Sequence, residues 1–247
     1  MSGRTIARVI IVVLAGIALG GVVTLVAGPR LLLPPLPPPP AIDAPRGDAP
    51  TGVVAFEERV RQGDAYMLSG SGFLLELPGG QVAGVTTAHS LGEGNFAPMV
   101  FTIAGESAPV ATFDELLAPL GRPRAGDDLT IDYVLMRPSS PPDPARVLLP
   151  DPRGAPQPGE RVSLYSGLGD GRGQPRILHG TVESVDANGA WLRMDDLFDP
   201  GLMSGSPIIS QHTGRVVGMT IAVWLRPGAL SIGVHPIGSI LEKAASR

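Results

Sequence analysis

The stretch Pro200-Gly201-Leu202-Met203-Ser204-Gly205-Ser206-Pro207 sets a serine between a glycine-rich approach and a Gly-Ser-Pro exit, directly ahead of the apolar pair Ile208 and Ile209. That suits a nucleophilic hydroxyl on a tight loop, although an ordinary surface turn is the commoner source of such a cluster. A serine nucleophile needs a base to take its proton and a third group to orient the base. The chain has four histidines, at 89, 179, 212 and 235. His89 ends the run Val85-Thr86-Thr87-Ala88-His89-Ser90, where a strand end could hold the ring rigidly with one edge in a cleft, as a general base requires. His179 and His212 read as strand and turn residues, and His235, ahead of Pro236 at the start of a terminal helix, as structural. Asp132, just before the apolar Tyr133-Val134-Leu135-Met136, is placed to be buried beside an imidazole, whereas Asp127 and Asp128 after Gly126 read as a solvated turn.

The three residues occur in the order His89, Asp132, Ser204. An α/β-hydrolase would need Gly-x-Ser-x-Gly and the order Ser, Asp or Glu, His; here Leu202 and Ser206 replace both glycines and only Glu242 follows as an acid. The subtilisin order needs its aspartate before the histidine, and nothing near Asp43, Asp48 or Asp64 looks like a buried strand end. The histidines show no i, i+4 spacing and the chain has no cysteine, so no metal site, no thiol nucleophile and no disulfide is expected; no cofactor is implied.

The elements that must position these groups read as short strands. From about residue 52 onward, runs such as 73–77, 82–87, 133–136, 162–165, 191–194, 216–222 and 230–234 alternate with Gly and Pro, and Leu77-Pro78-Gly79-Gly80-Gln81 reads as a hairpin connection. The proline-rich run 138–144 divides them into two groups, which predicts an all-β fold of two barrels in tandem: a first at about 53–137 and a second at about 146–235. Helical period is expected in two places, residues 112–120 and a terminal helix at about 236–246.

Residues 9–27 carry no charge over nineteen positions, about 28 Å as a helix, which is bilayer thickness. This predicts a single-pass anchor. Arg4 and Arg8 before it, with no acid, place residues 1–8 in the cytoplasm and the rest on the periplasmic or extracytoplasmic side. The run exceeds a usual signal-peptide core, so an uncleaved anchor is expected. Residues 28–52 form a proline-rich linker, expected to stand as a semi-rigid polyproline spacer that holds the folded part off the membrane. Beyond residue 30 the chain has 16 basic and 23 acidic residues, a balance that excludes a nucleic-acid partner.

The segments Gly70-Ser71-Gly72-Phe73, Thr87-Ala88-His89, Asp132-Tyr133-Val134-Leu135 and Ser204-Gly205-Ser206-Pro207, with Gly214-Arg215-Val216-Val217-Gly218-Met219 beyond, resemble the chymotrypsin-like (trypsin-like) serine peptidases. The closer likeness is to their bacterial disulfide-free branch, which includes the HtrA/Deg proteases; it covers roughly residues 53–247, and no PDZ-like segment follows. The resemblance implies two six-stranded β-barrels with a C-terminal helix, and a cleft between the barrels in which His89, Asp132 and Ser204 form a catalytic triad acting on polypeptide substrates. It implies an oxyanion hole from the backbone N–H groups of Leu202 and Ser204. It also implies a substrate pocket with Phe198 near its floor and Thr220, Ile221 and Ala222 along its wall. The chain departs from the family at Leu202, where glycine is usual, so the chemistry turns on how Leu202 holds its N–H. Two functions follow: an anchored serine endopeptidase acting on exported proteins, or a catalytically silent protease fold used as a binding or scaffold module.

Overall fold

The computed structural model describes residues 33–91, 95–170 and 174–245. The anchor expected at residues 9–27 lies outside them; among the described residues no helix is long and apolar enough to cross a membrane.

Among the described residues thirteen strands build two barrels. In the first, β1 (Ala55–Gln62), β2 (Ala65–Glu76), β3 (Val82–Thr86), β4 (Met99–Thr102), β5 (Pro109–Leu116) and β6 (Val134–Pro138) close in the order β1-β4-β5-β6-β3-β2, with β1 also paired to β2; β7 (Val147–Leu148) adds to β2 in parallel. In the second, β8 (Arg161–Ser166), β9 (Arg176–Asp186), β10 (Gly189–Met194), β11 (Pro207–Ser210), β12 (Val216–Arg226) and β13 (Ala229–Pro236) close completely. A helix, α1 (Ile237–Ala245), ends the description. The expected hairpin between β2 and β3 is present, with Gly79 and Gly80 at φ +89° and +81°, a region that disfavours side chains.

Each barrel has its own core, and a third cluster joins them. Phe56, Phe101 and Phe113 fill the first, Phe101 meeting Phe113 edge-on at 4.7 Å. Gly72 and Gly84 make room for those rings: a Cβ on Gly72 would lie 2.3 Å from Phe101, and one on Gly84 2.4 Å from Phe113. Leu164, Leu192, Ile208 and Ile232 fill the second. Between the barrels, Phe73, Val85 and Leu135 meet Ile209, Met219 and, from α1, Ile237 and Ile240.

Two expectations are corrected. Residues 112–120 are not a helix: 112–116 belong to β5, paired to β4 and β6 with a bulge between Phe113 and Glu115. The local run Glu115-Leu116-Leu117 favours a helix, but barrel closure and the burial of Ala111 and Phe113 on one face win, as tertiary context overrides a weak propensity. Nor do residues 33–50 stand as a free spacer. They lie as an extended strap on the second barrel, where proline carbonyls find donors although the segment has few N–H groups of its own. Arg193 Nη2 donates to the Pro34 carbonyl at 2.9 Å, and Gly47 N–H donates to the His212 carbonyl at 3.0 Å. His212 Nε2 lies 2.8 Å from the Ala44 carbonyl. Gly159 and Gly214 admit the strap: a Cβ on either would fall 2.0 Å from the Pro38 carbonyl oxygen and 1.9 Å from that of Asp48 respectively.

Candidate active site

Strand β3 ends at Thr86 and the chain turns into a 3₁₀ segment, Ala88–Leu91, that carries His89 with its side chain about one-third exposed. Asp132 lies in the turn before β6, its side chain wholly buried. The carboxylate is matched on all sides. Its Oδ1 accepts from the N–H of Ala88 at 2.7 Å and of His89 at 3.1 Å; its Oδ2 accepts from Arg124 N–H at 3.0 Å and lies 2.8 Å from His89 Nδ1. Burial pushes the Asp132 pKa up, but the His89 ring with its charge and the Arg124 and His89 backbone donors outweigh it and hold the carboxyl below the ordinary value. A neutral His89 that donates its Nδ1–H to Asp132 presents Nε2 as the acceptor.

The loop bearing Ser204 comes from the second barrel and docks main chain to main chain on β2 of the first. Ser71 N–H donates to the Ser204 carbonyl at 2.9 Å and Ser71 Oγ to the Leu202 carbonyl at 3.0 Å, while Gly205 N–H donates to the Thr220 carbonyl at 2.8 Å. The Ser204 carbonyl oxygen and the Cβ of Ser90, next in chain to His89, both lie within 4 Å of the point where Gly70 would carry a Cβ. The structure thus brings the Ser204 loop onto the strand neighbouring His89.

Leu202 is the one non-glycine residue with positive φ among the described residues, at +60°. It adopts the left-handed backbone that a glycine would take freely, at a cost of about 1–2 kcal/mol. The two hydrogen bonds from Ser71 and a side chain that is 45% exposed make this conformation tolerable. Neither the Leu202 nor the Ser204 N–H finds an acceptor among the described residues.

The expected pocket residues divide. Ile221 and Ala222, at the bulge of β12, line a cleft together with His89, Arg124 and Asp132; Thr220 is buried behind them. Phe198 packs instead against the core of the second barrel, with the Arg176 guanidinium 5.7 Å over its ring. His179 bonds Ser163 on the strand surface, and Asp128 caps its own turn through Thr130, so neither joins the site. His235 lies on β13, ahead of the helix as expected, buried edge-on against Tyr133, and burial lowers its pKa to about 4. Among the described residues no group of acidic and histidine side chains could hold a metal ion.

One buried acid escaped the sequence reading. Glu58 on β1 is fully buried beneath Ser90 and Thr86. The signal existed: in a strand, Phe56, Glu58 and Val60 share a face, and the two apolar neighbours point inward.

The profile of the trypsin-like peptidase domain matches residues 70–219. Among solved structures, a thermostable serine protease, AL20, from an extremophilic microorganism is 14% identical with a TM-score of 0.53, over 78% of this chain and 98% of that one. Kallikrein-related peptidase 10 is 16% identical with a TM-score of 0.53, over 76% and 92%. At these identities the likeness carries the fold alone. No curated protein matches.

Proposed function

Because the chain belongs to the trypsin-like peptidase domain family, we propose that it is a membrane-anchored serine endopeptidase that cleaves exported proteins through His89, Asp132 and Ser204. The observation that carries this reading is the Asp132 carboxylate, buried, met by three backbone N–H groups and bonded to His89 Nδ1 beside the cleft. Ser204 Oγ attacks the scissile carbonyl carbon as His89 Nε2 takes its proton, and Asp132 stabilises the imidazolium. The N–H groups of Leu202 and Ser204 receive the oxyanion. Collapse breaks the C–N bond, the amine leaves with the proton from His89, and water, deprotonated by the same imidazole, frees the acyl group. Ile221 and Ala222 form the pocket wall, backed by the buried Thr220. The left-handed φ of Leu202 favours an active enzyme over a silent module.

Anchoring through residues 9–27 draws support from the point where the strap meets the domain. Arg193 holds Pro34 and shares Glu183 with Arg226, whose guanidinium lies 5.1 Å over the Trp224 ring; Trp224 meets Trp191 edge-on. Trp224 is 56% and Leu225 68% exposed on this side, and tryptophan favours the membrane interface.

The test uses the full chain in phosphatidylcholine/phosphatidylglycerol vesicles with a fluorophosphonate probe. The wild type is labelled and Ser204→Ala is not; labelling that does not depend on Ser204 sinks the enzyme. Flotation with the vesicles tests the anchor separately. Trp191 and Trp224 are the only tryptophans, so brominated lipid should quench the chain's tryptophan emission if that face meets the bilayer.

A further inference from the structure

Glu58 has contacts that its surroundings complete more fully when it carries a proton than when it is ionised. Thr86 Oγ1 lies 2.5 Å from Glu58 Oε2 and 2.8 Å from the Ser71 carbonyl; Ser90 Oγ lies 2.7 Å from Glu58 Oε1 and 2.7 Å from the Thr87 carbonyl. Each hydroxyl owns one proton, and carbonyl oxygens own none. An ionised Glu58 leaves two protons for four oxygen–oxygen contacts, whereas a neutral one supplies a third. The neutral form gives a directed chain: Glu58 donates to Thr86, and Thr86 donates to the Ser71 carbonyl. Ser71 in turn holds the Ser204 loop through its N–H and its hydroxyl.

We propose that Glu58 is a positioning residue, kept as a neutral carboxylic acid, whose proton ties the strand leading to His89 to the loop that carries Ser204. Its catalytic half rests on the serine-peptidase reading above. The space for Glu58 is built in, since a Cβ on Gly70 would fall 2.9 Å from Glu58 Oε2. Among the described residues no cation compensates a charge there. On β1 itself, Glu57 and Arg59 pair with each other and with Thr102. From β2 and β3 come only Gly70, Ser71 and Thr86, from β4 the Phe101 ring, and from the second barrel the uncharged 202–205 loop. Among the described residues His89 is the one titratable group facing it, and Asp132 holds the Nδ1 side of that ring. Burial pushes the Glu58 pKa up to about 7, against the lowering by the Thr86 and Ser90 hydroxyls and the His89 charge.

The experiment measures the rate of Ser204 labelling by a fluorophosphonate on the full chain from pH 5 to 9.5. The wild-type rate falls about tenfold or more between pH 7 and 9 as Glu58 ionises. Glu58→Gln, which stays neutral and can still donate, removes the alkaline fall and leaves the rate at lower pH in place. Ser90→Ala, which removes a donor to the ionised form, moves the alkaline fall to higher pH and serves if Glu58→Gln fails to fold. An alkaline limb absent from the wild type, or unchanged in Glu58→Gln, overturns the proposal; so does a rate lowered equally at every pH, which marks a merely structural side chain. If no Ser204-dependent labelling occurs at any pH, the peptidase reading fails and Tm against pH decides what remains. Wild type losing several degrees relative to Glu58→Gln between pH 5 and 8 supports the neutral acid, and parallel curves overturn it.

Discussion

The Ser71 N–H donates to the carbonyl of Ser204 at 2.9 Å, so the loop of the second barrel is fixed by the backbone of the first. The close approach depends on Gly205, at φ +88°, where a Cβ would fall 1.9 Å from the Ser71 carbonyl oxygen and 2.7 Å from Thr86 Oγ1. Gly205→Ala is expected to lose about 3 kcal/mol or more, through forced separation of the barrels and the strain of positive φ. Ser204→Ala, which leaves the backbone as it is, stays within about 0.5 kcal/mol of wild type. Urea titrations of the two variants check the contrast.

Leu202 at φ +60° holds strain that its exposed side chain does little to offset. Leu202→Gly relieves about 1–2 kcal/mol but loosens the unfolded chain by about 0.4–1 kcal/mol, so a net gain between about 0 and about 1.6 kcal/mol is expected. Labelling of Ser204 should be as fast or faster. Leu202→Val, β-branched and poorer at positive φ, should lose both stability and labelling rate.

Asp132 accepts from four N–H groups, so an amide cannot replace it without conflict. In Asp132→Asn the amide oxygen keeps Ala88 and His89 N–H, and the NH₂ meets His89 Nδ1 and the Arg124 N–H. The imidazole must then place its proton on Nε2, where it cannot accept from Ser204. Labelling should fall about 10³–10⁴-fold, measured as a second-order rate with the same probe.

Two buried groups oppose one another in their dependence on pH. His235, lowered to about 4 from an ordinary 6.5, contributes stability that is complete above pH 6.5 and is lost as pH falls toward 4. Glu58, raised from 4.5 to about 7, contributes stability complete below pH 4.5 and lost as pH rises through 7. Each shift corresponds to roughly 3 kcal/mol, so the wild type should be nearly level between pH 4.5 and 6.5. In that window Glu58→Gln should gain stability as pH rises and His235→Phe should lose it, read from Tm against pH. Below the ordinary aspartate value the protonation of Asp132 adds a further loss, because its folded pKa is depressed.

The strap is expected to respond to single methyl groups. Gly159→Ala and Gly214→Ala each put a Cβ within about 2 Å of a strap carbonyl, at φ +84° and +67°. Both should release residues 33–50 and expose them to limited proteolysis, with cleavage sites located by mass spectrometry and the barrel cores otherwise intact.

The two-barrel fold was legible because short strands punctuated by Gly and Pro show the period of two directly, and the candidates His89 and Asp132 were legible because each sits at the end of an apolar run. Residues 112–120 were misread because Glu115-Leu116-Leu117 favours a helix locally, while the pairing partners of Glu115 and Leu116, Arg137 and Met136, lie elsewhere in the chain. The proline-rich segment was misread for the converse reason: composition reports its stiffness but not that Gly159 and Gly214, more than a hundred residues away, leave a path for it.

By itself, then, the sequence determined the residue types, their order His89, Asp132, Ser204, and the strand pattern, all of which are properties of neighbours along the chain. Only the tertiary structure decided the backbone of Leu202, the burial of Glu58 and the docking of Ser204 on Ser71. Those depend on which oxygen, nitrogen or ring another part of the chain brings within about 3 Å, where a hydrogen bond or a clash is made.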